Sequence, residues 1–177
     1  MTFSEITEAF EAYTGVSGEI DDSELAIWYN EAQIDLALDF GRIKTAELVP
    51  DENGLAAPPA DNIMVVDANA DYSWTSGGLL KFKTDAPVEV YYRAMPDPEH
   101  VFTGANPNQT PDLPYSLHYL LALFAASRYW DRESEGDTEE MNLANKWWQQ
   151  YQLTKKMFLS KMNRAGNSDI NHWVVIP

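Results

Sequence analysis

The chain has 177 residues, 45% of them hydrophobic, with a net charge of −16 and no cysteine. That is enough apolar material for one core of ordinary size, and it excludes a disulfide framework, a thiol nucleophile and a thiolate metal site. The negative charge opposes general affinity for a phosphate backbone, because binding would bring like charges together.

Thr2 and Glu5 have the spacing of a capping box, and Ile6, Phe10 and Tyr13 follow on one helical face, which predicts a first helix over about 4–14. A second box at Asp21 and Glu24 opens a longer helix, about 23–40, whose apolar stripe is Leu25, Trp28, Tyr29, Ala32, Leu36 and Phe40. Its acids Glu31, Asp35 and Asp39 recur every four residues, as along a solvated edge. Residues 45–62 lose the period, gather Pro and Gly, and read as a connector. The rhythm then changes to two. IMVV (63–66), YSW (72–74), LLKFK (79–83) and VEVYYR (88–93) alternate with turn-like segments and predict a small antiparallel β-meander over about 63–93. In LLKFK, Leu80 and Phe82 face a core while Lys81 and Lys83 face water.

A Pro-rich loop at 95–112 leads to a third helix, about 114–133, with Pro114 in its first turn. Leu117, Tyr119, Leu120, Leu121, Leu123 and Phe124 cover nearly every side of it, so it belongs at the centre, under the second and fourth helices. The fourth helix, about 138–162, steps through Met141, Ala144, Trp148, Tyr151, Lys155, Phe158 and Met162, the seam of a helix packed lengthwise on another. Trp147 and Met157 lie off that seam and are candidates for a subunit interface. After Gly166 a polar linker leads to the apolar HWVVIP, a segment suited to a neighbour's sheet edge or groove. The expected fold class is α+β, mainly α. It is an antiparallel helical bundle with a small antiparallel β-meander inserted between helices 2 and 3, forming one domain over 1–162, with an extended C-terminal arm over 163–177.

The charge is segregated. Residues 1–80 carry 16 acids against 2 bases, residues 81–140 carry 11 against 5, and residues 141–177 carry 1 against 5. An acidic front and a basic rear suit head-to-tail contacts better than a uniform polyanion would.

Three motifs touch on chemistry. Asp112, Ser116 and His118 hold the residue types of a hydrolytic triad, but Ser116 and His118, two apart on a helix, face away from each other, and no G-x-S-x-G is present. Capping by Asp112 and partial burial of His118 are expected instead, and no catalytic residue is assigned. Asp67, Asn69 and Asp71 begin like a calcium loop, yet Tyr72 stands where glycine is required and Gly78 where a bidentate glutamate is. An Asx-rich turn is the expectation. His100, His118 and His172 lie far apart, so no metal and no cofactor is expected. The N-terminus has no signal-peptide pattern, and the apolar run Tyr119–Ala126 falls short of the ~20 residues that span a bilayer. Synthesis and residence in a reducing cytoplasm, without membrane attachment, is the expectation.

The order of these parts resembles the head-to-tail adaptor (connector) proteins of tailed bacteriophages. The resemblance rests on YNEAQIDLALDFGRI, a Pro-containing connector, VEVYYRAMP, a loop ending in DLP, YSLHYLLALFAASRYW and NKWWQQYQLTKKMFLSKM, and covers roughly residues 4–162. It implies a structural virion protein at the head-tail junction, assembled in the host cytoplasm as a homo-oligomeric ring, commonly a dodecamer. Such a ring joins the portal to a tail or stopper protein and lines part of the channel for genome ejection. DNA would pass nearby without sequence-specific binding. The family's C-terminal part tends to reach the portal, which here implies portal or partner binding by Lys161, Arg164, His172, Trp173, Val174, Val175 and Ile176. The small sheet would face either the tail-side partner or the channel. An acidic intracellular protein-binding module, of the DNA-mimic or inhibitor type and without catalysis, is the alternative.

Overall fold

The structure is a computed structural model, and it describes the backbone of residues 1–169 and the side chains of residues 1–162. It is mixed α+β, with four helices and two small antiparallel sheets among the described residues. The described chain divides into two compact units: Met1–Phe40 with residues 96–169, and Gly41–Met95. The sequence pattern suggested a single domain over 1–162. The inserted β segment has a core of its own, made of Ala56, Val65, Leu80, Phe82, Val88, Val90, Tyr92 and Ala94.

In the helical unit, α1 (Phe3–Thr14) starts at the expected capping box. The Glu5 amide donates to Thr2 Oγ1 at 3.3 Å and the Thr2 amide to Glu5 Oε2 at 2.8 Å. Helix α2 spans Asp22–Phe40, α3 spans His118–Glu133 after a 3-10 turn at Tyr115–Leu117, and α4 spans Thr138–Asp169. Asp137 caps α4, its Oδ1 accepting from the Glu139 amide at 2.7 Å. Helix α4 is longer than expected, because residues 163–169, assigned to the arm, continue it. The remainder of the arm lies outside the described residues.

Helix α3 is the centre, as its all-round apolar surface requires. Ten of its sixteen residues are buried, and α1, α2 and α4 all pack on it. Each of its buried leucines stabilises the fold by about 1.5–3 kcal/mol, which an exposed helix would forfeit. Contacts of Phe124 with Tyr151 and of Tyr119 with Phe158 run α4 opposite to α3, and Arg132–Glu24 and Arg128–Glu31 do the same for α2.

The loop from Pro96 to Pro114 is stapled to α2. Asn30 donates to the Phe102 carbonyl and accepts from its amide, both at 2.8 Å, and Phe102 then buries its ring against Phe3 and Tyr29. Gly104 lies so close to α2 that a Cβ would fall 2.6 Å from the Asp22 carbonyl carbon, at a φ of +77° that disfavours side chains anyway.

In the β unit the strands are β1 (Ile43–Leu48), β2 (Leu55–Ala56), β3 (Asn62–Ala68), β4 (Tyr72–Trp74), β5 (Leu80–Phe82) and β6 (Val88–Ala94). The last four fall where the period-two runs placed them, and Leu80 and Phe82 are buried while Lys81 is exposed. Their pairing differs from a meander. One sheet has the order β1-β6-β3 and the other β2-β5-β4, with β1 and β2 drawn from the segment expected to be a connector. Pro50 and Gly54 punctuate that segment, but Gly54 turns the chain onto β5, where its carbonyl accepts from the Phe82 amide at 2.8 Å. Two register shifts bulge β3 and leave Met64 and Val66 exposed on an edge strand, which blunts the edge against further pairing.

Candidate functional site

The triad-like stretch is engaged in packing. His118 is 5% exposed, its Nδ1 lies 2.7 Å from the Met1 amino group and its Nε2 2.8 Å from the Leu113 carbonyl oxygen. Neutral imidazole fits both contacts, accepting at Nδ1 and donating at Nε2. Ser116 is exposed. Asp112 does not cap the helix as expected: the 3-10 turn and α3 both begin without a side-chain cap, and Asp112 Oδ2 accepts from the Asp97 amide at 3.1 Å. It holds the loop rather than the helix start.

Burial holds the His118 pKa below the ordinary histidine value. The unfolded chain therefore takes up a proton first as the pH falls, so this contribution to stability is complete above about pH 6.5 and declines below it. Urea titrations at pH 7 and pH 5 should show the native protein losing more stability on acidification than His118→Gln does. Equal losses would mean that His118 carries no such linkage.

The most concentrated polar cluster joins α2 to α4. Lys155, 9% exposed, donates to Asp35 Oδ2 at 2.8 Å and to the Asp35 carbonyl at 3.0 Å, and its ammonium lies 2.9 Å from Asp39 Oδ2. The fully buried Tyr151 donates its hydroxyl to the same Asp35 carboxylate. Burial would lower the Lys155 pKa, but the two carboxylates outweigh it and raise it, while burial and then Asp35 push Tyr151 up. Asp35, Asp39 and Glu31 were expected along a solvated edge. Instead Asp35 and Asp39 hold Lys155, and Glu31 meets Arg128 at 3.4 Å. Every donor here is used within the chain, so the cluster acts as a staple between helices.

Asn69 and Asp71 sit in the turn after β3, as expected, while Asp67 is still within that strand. Asn69 exchanges bonds of 3.0 Å with the Glu89 backbone through its side chain and its amide, and Asp71 pairs with Lys83 at 3.1 Å. The turn borders an open, polar depression of about 420 Å³. Among the described residues, no three His, Asp or Glu side chains converge as metal ligands, and no helix is long and apolar enough to cross a membrane.

The remaining candidates are surfaces. Lys161 is exposed on α4, its ammonium 5.6 Å from the Phe158 ring centroid. The Arg164 side chain, and His172, Trp173, Val174, Val175 and Ile176 entirely, lie outside the described residues. Met157 is 54% exposed and faces outward. Trp147, expected at a subunit interface, has an intrachain partner: it is partly buried and packs on Tyr13 of α1 with ring centroids 5.2 Å apart. Trp148, expected within the seam, is 41% exposed even though it stacks on Tyr151.

Sequence reasoning passed over a second apolar stripe on α2. Ile27, Ile34 and Leu38 are exposed and, with Glu31, form its outward face. Their spacing of seven and four was legible, but the stronger stripe of Trp28, Tyr29 and Leu36 drew the assignment. Leu153 on α4, 60% exposed, was likewise passed over.

Comparison with known proteins adds no family: no protein-family model matches the chain, and no curated protein matches its sequence.

Proposed function

We propose that the chain is a structural, non-catalytic subunit of a head-to-tail connector ring in a tailed bacteriophage. Its partners are further copies of itself, the portal protein, and a tail or stopper protein. On this reading the four helices form the antiparallel bundle of the subunit, the β insertion faces the tail side or the channel, and the arm at 163–177 reaches the portal. Met157, and the open part of Trp147, face a neighbouring subunit.

The observation that carries this reading is charge segregation on a chain whose parts run helix, helix, β insertion, helix, helix. The acids are gathered in residues 1–80 and the bases dominate 141–177, so each copy offers two unlike surfaces. Rings are built from heterologous contacts of that kind. An acidic channel wall also repels DNA and keeps a moving genome from adsorbing to it.

Cryo-electron microscopy of purified virions tests the reading. Density for this chain is expected in a ring between portal and tail, and its absence from the neck overturns the proposal. Deleting residues 167–177 is expected to leave the helical circular dichroism intact while heads and tails fail to join. Normal yields of infectious particles from that truncation would remove the portal-binding role of the arm.

A further inference from the structure

We infer that Asn53–Gly54 is a site of spontaneous deamidation, with water as its co-reactant, and that Asp51 keeps it shut in the folded chain. Nothing in this depends on the connector reading.

Gly54 is the only glycine that follows an asparagine in the sequence. No Cβ screens its nitrogen, so ring closure meets the least steric resistance at this pair. The Gly54 nitrogen bonds to the Asn53 side-chain carbonyl carbon, its proton leaves with the side-chain nitrogen as ammonia, and a five-membered succinimide remains. Water then opens one of the two imide carbonyls, which gives aspartate or isoaspartate. Asn53 is exposed, so water reaches it and ammonia escapes.

The fold requires the vulnerable glycine. Gly54 has a φ of +75°, and a Cβ there would stand 2.5 Å from the Phe82 carbonyl oxygen, just where the Gly54 carbonyl accepts from the Phe82 amide at 2.8 Å. A larger residue would push β5 away, so protection has to come from a neighbour, and Asp51 supplies it. Its carbonyl accepts from the Gly54 amide at 2.8 Å and ties down the proton that must leave. Its Oδ1 accepts from the Asn53 and Leu55 amides, both at 2.8 Å, and so clamps the chain before Asn53 and after Gly54. The carboxylate charge also opposes the amide anion through which the nitrogen attacks. Reaction therefore proceeds from the opened turn, at a rate set by how often it opens. The protection matters to the β unit. Strand β2 pairs only Leu55 with Lys81 and Ala56 with Leu80, and isoaspartate would lengthen the main chain by one methylene directly before it. Ala56 would then lose its place in the core.

Incubation of the full chain at neutral pH, native and unfolded in guanidinium chloride, is the test, with isoaspartate at position 53 quantified by peptide mapping. The native chain is expected to convert at least about tenfold more slowly than the unfolded one. Asp51→Ala, checked for native circular dichroism, is expected to convert at least about fivefold faster than native, because the side-chain clamp and its charge are gone. Lys155→Met, which loosens the helical unit, is expected to leave the rate at position 53 unchanged. Hydrogen exchange of the Gly54 amide needs no variant and should show protection of at least about tenfold. An unfolded chain that forms no isoaspartate at position 53 removes the site. Equal native and unfolded rates, an unprotected Gly54 amide, a folded Asp51→Ala as slow as native, or Lys155→Met as fast as Asp51→Ala removes the guarding role of Asp51.

Discussion

Replacing Lys155 with methionine is expected to lower stability by about 2 kcal/mol, or roughly 5 °C in melting temperature for a chain of this length. The ammonium lies between Asp35 and Asp39 at 2.8 and 2.9 Å, and methionine fills its space without its charge. Breaking a fully buried pair costs about 3–5 kcal/mol, but these carboxylates are 36% and 35% exposed, so water recovers part of the loss. Adding Asp35→Asn and Asp39→Asn to the variant should restore part of the stability, because the repulsion left behind is then removed. The alkaline limb supplies a second readout. Lys155 and Tyr151 both have folded pKa values above their unfolded ones, so their contribution is intact below about pH 10 and is lost above it, as the unfolded chain releases protons that the folded chain retains. Tyr151→Phe should flatten that limb. Melting temperatures of native and Lys155→Met protein within about 1 °C of each other would show that the cluster contributes nothing net.

The helices were legible because their signals are local. Thr2 with Glu5 and Asp137 with its following amides mark starts by side chains within three residues of the bonds they make. The central position of α3 was legible because a helix apolar on all sides has only one place to go. The positions of β3 to β6 followed from period two, but β1, β2 and the strand partners did not. β6 pairs with β1 across 40 to 50 residues, and nothing local in IKTAEL announces Tyr91 or Tyr92 as its neighbours. Asp35 and Asp39 failed for the same reason. Their four-residue spacing fits a solvated edge and an ion-pair seam equally well, and only the approach of Lys155, 120 residues on, decides between them. Asp112 precedes a helix, which is where caps stand, yet it turns to Asp97 across the loop. The outward stripes of α2 and α4 were legible as spacing but not as exposure, which depends on which face the core takes.

The second large effect is expected at Gln33, a side chain only 1% exposed that holds the loop from inside. Its Nε2 donates to the His100 carbonyl and to Asn30 Oδ1, both at 3.2 Å, and its Oε1 accepts from the Asp112 amide at 3.0 Å. Leucine matches its volume but leaves the Asp112 N–H and the His100 carbonyl without this partner, each at about 1–3 kcal/mol when buried. Some apolar burial is gained in return, so a net loss of about 3 kcal/mol is expected, read as a lower urea midpoint at unchanged slope. Hydrogen exchange locates the damage: the Asp112 amide should lose its protection, while amides at the centre of α3 slow down or speed up only with global stability. Asn30 still clamps Phe102 on both sides, so the loop should loosen between 106 and 112 before it detaches. If Gln33→Leu keeps the native midpoint and Asp112 stays protected, the loop is held by Phe102, the tight seat of Gly104 and the Phe3 and Ser4 amides that donate to the Gln109 and Pro107 carbonyls, and the buried amide is a passenger.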